Sequence, residues 1–115
     1  MASEGLHEEA TRLRPETVER HRAWVSLREE IEAIDWYDQR IDATADEELR
    51  AILTHNRDEE KEHAALVLAW LTKRDATLAR EVAAKVVRGE GPDDEAASAS
   101  PGDGSLAIGS LRGRP

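Results

Sequence analysis

The chain has 115 residues, of which 39% are hydrophobic and 36% charged, and its formal net charge is −9. This length suits one small domain. The acidic balance argues against nonspecific binding to nucleic acid, because that affinity depends on cationic contacts to phosphate. Cysteine is absent, which excludes disulfides, thiolate zinc sites and iron–sulfur clusters.

Hydropathy gives no sign of export or of membrane insertion. Residues 1–20 lack the apolar core of a signal peptide, and no apolar run reaches membrane-spanning length. We therefore expect a soluble, cytoplasmic protein with no membrane partner. The acidic surface suits the gathering of cations, and it equally suits simple solubility.

Helix-forming residues dominate, and β-branched residues form no strand-like runs, so the composition predicts an all-α fold. Residues 1–14 are mixed and polar, which predicts a flexible N-terminus. Pro15 fits the first turn of a helix, where its missing N–H is harmless. The first predicted helix covers residues 16–41.

A short break is predicted at residues 42–46, before a second helix that ends near Thr72. Thr44 and Glu47 stand three positions apart and predict a capping box at the start of this helix.

A shorter third helix is predicted over residues 76–87, with Asp75 as its N-cap and Gly89 after its end. One long helix through residues 73–75 is the alternative, since neither proline nor glycine forces a break there. The helical domain thus covers residues 15–88. Residues 89–104 are acidic and rich in Gly, Ser and Pro, as in a disordered linker. The final segment, residues 105–115, contains a small apolar island.

Glu60 and His63 are three residues apart, so on a helix they point the same way. Their face is predicted to be the apolar one. Burying a carboxylate and an imidazole there is unfavourable unless something compensates, and a metal ion does so by bonding to both. Glu59, four residues before His63, is an alternative partner for that histidine. We prefer Glu60, because Glu59 lies about 100° from Glu60 around the helix, toward the edge of the apolar face. The apolar stripe around the pair consists of Leu49, Leu53, Ala64, Val67 and Leu71.

Glu30 lies at the edge of the apolar face of the first helix. Carboxylate-bridged metal sites in four-helix bundles take one Glu from each of two helices and a Glu-x-x-His from each of the other two. This chain supplies half of that set, so we expect a homodimer with the site at its interface. Carboxylates with one imidazole suit iron or manganese, and zinc is not excluded.

Ordinary structural roles remain open for these residues. Glu30 taken alone fits an edge glutamate whose carboxylate reaches water. Glu60 taken alone fits a salt bridge, and His63 taken alone fits a core histidine with a polar neighbour.

Two further groups lie on the first helix. Glu29, Glu32 and Trp36 follow the spacing i, i+3, i+7 and form one stripe. The stripe predicts either a cation-attracting patch leading to the site or a solvated acidic face. On a helical wheel, Tyr37 lies near Glu30. Three roles are compatible with this position: a hydrogen bond to a ligand carboxylate, donation of an electron, or ordinary packing.

Residues 16–75 resemble the encapsulated ferritins, a truncated branch of the ferritin-like superfamily. The resemblance rests on residues 29–40 (EEIEAIDWYDQR) and residues 55–64 (HNRDEEKEHA). It implies two antiparallel helices and a shorter third. It further implies that two chains pair into a ferritin-like four-helix bundle and that the dimers assemble into an annular decamer.

The resemblance also implies a function, the oxidation of Fe(II) to Fe(III) by a ferroxidase. The implied di-iron ligands, contributed by two chains, are Glu30, Glu60 and His63. The residues implied beside the centre are Trp36 and Tyr37, with Tyr37 counted among the catalytic residues. The implied metal-uptake site, for calcium or another divalent cation, consists of Glu29 and Glu32.

The tail carries a second resemblance. Residues 106–112 (LAIGSLR) are similar to the peptide that loads cargo into encapsulins. Residues 105–112 are therefore expected to bind the encapsulin shell protein and to place the chain inside a cytoplasmic nanocompartment that stores iron mineral. The alternatives are a non-catalytic helical oligomerisation or cargo module and a di-manganese or zinc-binding protein.

Overall fold

The structure is a computed structural model, and we describe its residues 5–93. Three α-helices follow one another: α1 (Pro15–Ala43), α2 (Glu47–Lys73) and α3 (Ala76–Glu81). A 3-10 turn at Ala10–Arg12 precedes α1, and a π-helical segment, Val82–Val87, follows α3. The described part of the chain holds helices and no strand, which confirms the predicted all-α fold.

Both ends of α1 have simple local causes. Pro15 occupies the first turn, where the helix has no use for its missing N–H. At the other end, the backbone N–H of Thr44 donates to the carbonyl of Arg40 at 3.0 Å, and Thr44 itself is extended. The helix thus runs slightly beyond the predicted residues 16–41 at each end.

The N-cap of α2 is Asp46, so the predicted capping box of Thr44 and Glu47 is wrong. The Asp46 carboxylate accepts a hydrogen bond from the Leu49 N–H at 3.0 Å. The Thr44 hydroxyl instead accepts from the Asp46 N–H at 3.2 Å. Asp and Thr are both good N-caps, and here the cap is the residue that directly precedes the first helical position.

Contacts between α1 and α2 define an antiparallel hairpin, as predicted. Near the connection, Arg57 on α2 forms an ion pair of 3.0 Å with Asp38 on α1. Farther from it, His63 approaches Glu30 to 3.7 Å. The position rises along α2 as it falls along α1, so the helices run in opposite directions. Arg50 also donates to the carbonyl of Ile41, which ties the start of α2 to the end of α1.

The break before α3 is real, and the alternative of one continuous helix is wrong. Asp75 is extended, and its carboxylate accepts from the Leu78 N–H at 2.9 Å, as an N-cap does. Gly89 follows the π-helical segment with a φ of +73°, a conformation that favours glycine. The chain divides at Asp75 into two separately packed units.

Very few side chains are buried. In residues 5–93 only Leu71 and Ala84 are buried, whereas Ile31, Ile52 and Leu66 are more than half exposed, at 54%, 51% and 62%. Two helices side by side form a single layer, and one layer cannot enclose an apolar core. The hairpin therefore presents apolar surface that a further layer would cover.

None of the described helices is both long enough and apolar enough to span a lipid bilayer. The predicted linker, residues 89–104, lies largely outside the described residues, and the predicted targeting segment, residues 105–115, lies wholly outside them.

Replacing Asp46 by Ala should lower the free energy of unfolding by about 1 kcal/mol, because the Leu49 N–H loses its acceptor. Asp46→Asn keeps an acceptor and should retain most of the stability. Urea unfolding followed by circular dichroism measures the effect. Asp42→Ala is the control, since it removes an acid near the negative end of α1 and should be neutral or slightly stabilising. Equal stability of the Asp46→Ala and Asp42→Ala proteins would contradict the cap.

Candidate metal centre

The three predicted ligands lie together in the hairpin. Glu30 comes from α1, and Glu60 and His63 come from α2, and one donor atom of each lies within 4.8 Å of the others. The Nδ1 atom of His63 is 3.4 Å from a Glu60 carboxylate oxygen and 3.7 Å from a Glu30 carboxylate oxygen. Two oxygens and one imidazole nitrogen thus surround a common point.

The helices themselves produce this arrangement. Glu60 and His63 are one turn apart on α2, so their side chains project from the same face. Glu30 reaches them because the hairpin fixes which turn of α1 lies opposite. The ion pair between Asp38 and Arg57 lies closer to the connection and holds the same register.

The site is open on one side in the single chain. The exposed fractions of the side chains are 26% for Glu30, 23% for Glu60 and 46% for His63. The two carboxylates are thus mostly covered by the hairpin, and the imidazole is reachable from outside. A metal ion held here would have protein on one side and free coordination positions on the other.

The Glu60 carboxyl perturbs the titration of Glu30. The pKa of Glu30 is raised above its ordinary value of 4.5, chiefly by a hydrogen bond with the Glu60 carboxyl. Desolvation and the negative charge of Glu60 act in the same direction, and His63 opposes them. The raised pKa means that protonation of Glu30 competes with metal binding more than it would at an isolated glutamate.

The donor set fits a divalent transition ion. Carboxylate oxygens with one imidazole suit iron or manganese, and zinc accepts the same donors. Among residues 5–93, one atom from each of three side chains converges here, which is fewer than an octahedral shell requires. Ferritin-like bundles of four helices complete such sets with ligands from the two further helices.

The other predicted residues are not among these three donors. Glu29, Glu32 and Trp36 are exposed on α1, and Tyr37 is half-buried. The Arg40 guanidinium lies over the rings of Trp36 and Tyr37, at 5.9 Å and 5.6 Å from their centroids. This contact with Arg40 had no counterpart in the sequence analysis, although the spacings of three and four residues on a helix permit it.

Glu59 is a neighbour of the site that sequence reasoning set aside. Its carboxylate lies 4.0 Å from the Nε2 atom of His63, on the ring edge that faces away from Glu60. Its other oxygen lies 3.7 Å from Nε2 of His55. The signal in the sequence was the spacing of four residues between His55, Glu59 and His63. That spacing alone does not predict the contacts, because they depend on the rotamers of all three side chains.

The fold and the candidate site define a helical protein of the ferritin-like kind, in which two carboxylates and a histidine of a helical hairpin converge as a metal site requires. Comparison with known proteins gives the family. The family model described as EncFtn-like matches residues 5–88, and the chain belongs to this family.

Individual relatives agree with this assignment. The chain is 50% identical to an encapsulated ferritin-like protein of Rhodospirillum rubrum, with 97% of this chain and 91% of the relative covered. It is 38% identical to the encapsulin nanocompartment cargo protein EncC of Myxococcus xanthus, with 76% and 80% covered. The crystal structure of protein ne0167 from Nitrosomonas europaea has 52% identity and a TM-score of 0.65, with 68% of this chain and 86% of that chain covered.

The raised pKa of Glu30 predicts how the metal-free protein responds to pH. Since folding raises this pKa above 4.5, the folded state holds more protons than the unfolded state above that pH. The contribution of Glu30 to stability should therefore be lost as the pH rises from 4.5 through the higher folded pKa. Glu30→Gln removes the titration, so this variant should gain stability relative to the native protein as the pH rises.

Thermal unfolding in a chelator, at one protein concentration and several pH values, measures this difference. Glu48→Gln is the control, because it makes the same change at an exposed glutamate of α2 outside the candidate site. A difference between the native protein and Glu30→Gln that is constant across pH would contradict the assignment of the shift.

Proposed function

We propose that this protein is a ferroxidase that oxidises Fe²⁺ to Fe³⁺ at a di-iron centre shared by two copies of the chain. The observation that carries the proposal is the convergence of Glu30, Glu60 and His63 to within 4.8 Å. Membership of the EncFtn-like family, with a relative described as ferritin-like, supports iron as the metal.

A second copy of the chain supplies what one copy lacks. Each chain offers three donors on a hairpin whose apolar side chains are largely exposed. Two hairpins packed face to face form a four-helix bundle, and the pooled ligands comprise two Glu30, two Glu60 and two His63. The same contact covers the open side of the site, so dimerisation serves both the core and the metal. Assembly of the dimers into an annular decamer is part of this proposal.

Iron is the substrate in this scheme. Two Fe²⁺ ions bind between the chains, with Glu60 of each chain as the bridging carboxylate and with Glu30 and His63 on the flanks. Each ion loses one electron, and dioxygen takes up both electrons and two protons to form hydrogen peroxide. The carboxylates favour the more highly charged Fe³⁺ ions, and metal binding competes with protonation of Glu30, whose pKa is raised.

The exposed stripe on α1 is proposed as the route of uptake. Glu29 and Glu32 stand one turn apart, both exposed, and Trp36 follows one turn further on with 48% of its surface exposed. The two carboxylates would attract Fe²⁺ and hold calcium or another divalent cation. Tyr37 next to this stripe is proposed to assist electron transfer at the centre.

Delivery to a shell is the other half of the proposed function. The Myxococcus relative is described as an encapsulin nanocompartment cargo protein. We assign the same destination to this chain, inside an encapsulin compartment of the cytoplasm, where ferric iron would be stored as mineral. Residues 105–112, with three aliphatic side chains on a short peptide, are proposed to bind a groove of the shell protein.

Two functions compete with this proposal. Manganese or zinc would use the same donors without iron turnover. A non-catalytic oligomerisation module would bind no metal and would use the carboxylates in ion pairs. Metal analysis of the purified native protein separates these possibilities from a ferroxidase.

Glu30→Ala and His63→Ala should each slow Fe²⁺ oxidation by roughly 100-fold or more, since residues that only support ligands already cost about 10- to 100-fold. The initial rate of ferric absorbance in air measures the effect. Glu48→Ala, which removes an exposed carboxylate on α2, should oxidise iron at the native rate. Near-native turnover in the purified Glu30→Ala and His63→Ala proteins would refute the ligand assignment.

Deletion of residues 105–115 should prevent loading into the shell and leave iron oxidation unchanged, because the ligands lie in α1 and α2. Co-expression with an encapsulin shell protein, followed by purification of the shells, measures the cargo retained. A triple substitution of Leu106, Ile108 and Leu111 by Ser should act like the deletion. Full retention of either variant would contradict the targeting role.

A further inference from the structure

His55, Glu59 and His63 form one stripe along α2 at intervals of four residues. The two oxygens of the Glu59 carboxylate face different imidazoles. One oxygen lies 3.7 Å from Nε2 of His55, and the other lies 4.0 Å from Nε2 of His63. We call these three residues the His–Glu–His stripe. Only His63 of the two histidines also faces the candidate metal centre.

The two ring nitrogens of His63 therefore face different carboxylates. Nδ1 lies 3.4 Å from Glu60 and 3.7 Å from Glu30, where the ion would bind. Nε2 lies on the opposite ring edge, within 4.0 Å of Glu59. An imidazole that binds a metal through Nδ1 carries its proton on Nε2, and the group that accepts this proton's hydrogen bond fixes the tautomer and the ring orientation.

We propose that Glu59 is a positioning residue that holds His63 in the metal-binding tautomer by accepting a hydrogen bond from its Nε2–H. This inference rests on the proposed function of the centre, and it adds a residue that is not itself a ligand. The separation of 4.0 Å exceeds a hydrogen bond in the free protein. Contacts of this kind are often long before a ligand binds and shorten when it does.

The exposed fractions of the side chains describe the position of Glu59 between the two histidines. Half of the Glu59 side chain is covered, and the opposing His55 side chain is 72% exposed. His55 thus approaches one oxygen of Glu59 from the more exposed side, and the other oxygen faces Nε2 of His63. An acceptor at this position increases the basicity of the ligating nitrogen as well as fixing the ring.

Zinc is a suitable probe, because it is diamagnetic and needs no oxidation step. The affinity of the full-length protein for Zn²⁺ is measured by competition with a chelator, and the His63 ring nitrogens are observed by ¹⁵N NMR. Glu59→Ala should weaken Zn²⁺ binding about 10-fold and remove the single Nε2-protonated signal of His63. Glu59→Gln keeps an oxygen acceptor, so its affinity and spectrum should lie close to those of the native protein.

Glu62→Ala is the matched control. It removes one carboxylate from the same helix, and the Glu62 side chain is exposed with no ion pair or hydrogen bond in the described residues. It should bind Zn²⁺ as the native protein does. Circular dichroism of each variant confirms that the helices are retained.

Two results would overturn the proposal. One is an equal Zn²⁺ affinity for Glu59→Ala and Glu62→Ala with the His63 signal unchanged. The other is a loss of bound Zn²⁺ per chain in both Glu59 variants, which would make Glu59 a ligand. Failure of the proposal about Glu59 can be distinguished from failure of the proposed ferroxidase function. Iron oxidation by the native protein alone tests the ferroxidase, and the zinc measurements do not depend on turnover.

Discussion

The closeness of two carboxyl groups and one imidazole on the hairpin is the constraint that organises this molecule. Glu30 and Glu60 lie close enough to share a hydrogen bond that raises the pKa of Glu30, and both are mostly covered. Two carboxyl groups this close disfavour the state in which both are ionised. A bound divalent cation would offset the repulsion between the two negative charges. Because folding raises the pKa of Glu30, its ionisation favours the unfolded state as the pH rises above 4.5.

The architecture points the same way as the electrostatics. A two-helix hairpin encloses almost no core, and Leu71 is the one residue of α1 and α2 that is buried. Within the described residues, three donors converge, whereas a metal site in a bundle of four helices has ligands from all four. In the proposed dimer, a second hairpin covers the apolar face and adds the further ligands in one contact. Under that proposal, assembly and metal binding each stabilise the folded chain.

Sequence reasoning found the helices and the three side chains that converge because strong local signals marked them. Pro15 and the acidic cap at Asp75 fixed helix starts, and the spacing of Glu60 and His63 on an apolar stripe fixed the site. The cap of α2 was missed because Thr44 and Asp46 are both good caps and only the backbone path decides between them. The π-helical segment after α3 had no recognisable signal.

The surroundings of the site were harder to predict than its ligands. A helical wheel gives the angle of each residue, which favoured Glu60 over Glu59, but it does not give rotamers. The side chains turn so that Glu60 faces one nitrogen of His63 and Glu59 approaches the other. The placement of Arg40 over the Trp36 and Tyr37 rings is likewise a matter of rotamers. The targeting segment lies outside the described residues, so its role stays a proposal.

Native mass spectrometry of the metal-free and the Fe²⁺-loaded protein tests the shared site most directly, because it reports chains and metal ions in the same particle. If the metal site is completed only when two chains pair, iron should appear in assemblies with an even number of chains, at two ions for every two chains. It also predicts that loading shifts the population from single chains toward such assemblies. Single chains that bind iron as well as assembled ones, or assemblies that form without taking up iron, would contradict the account.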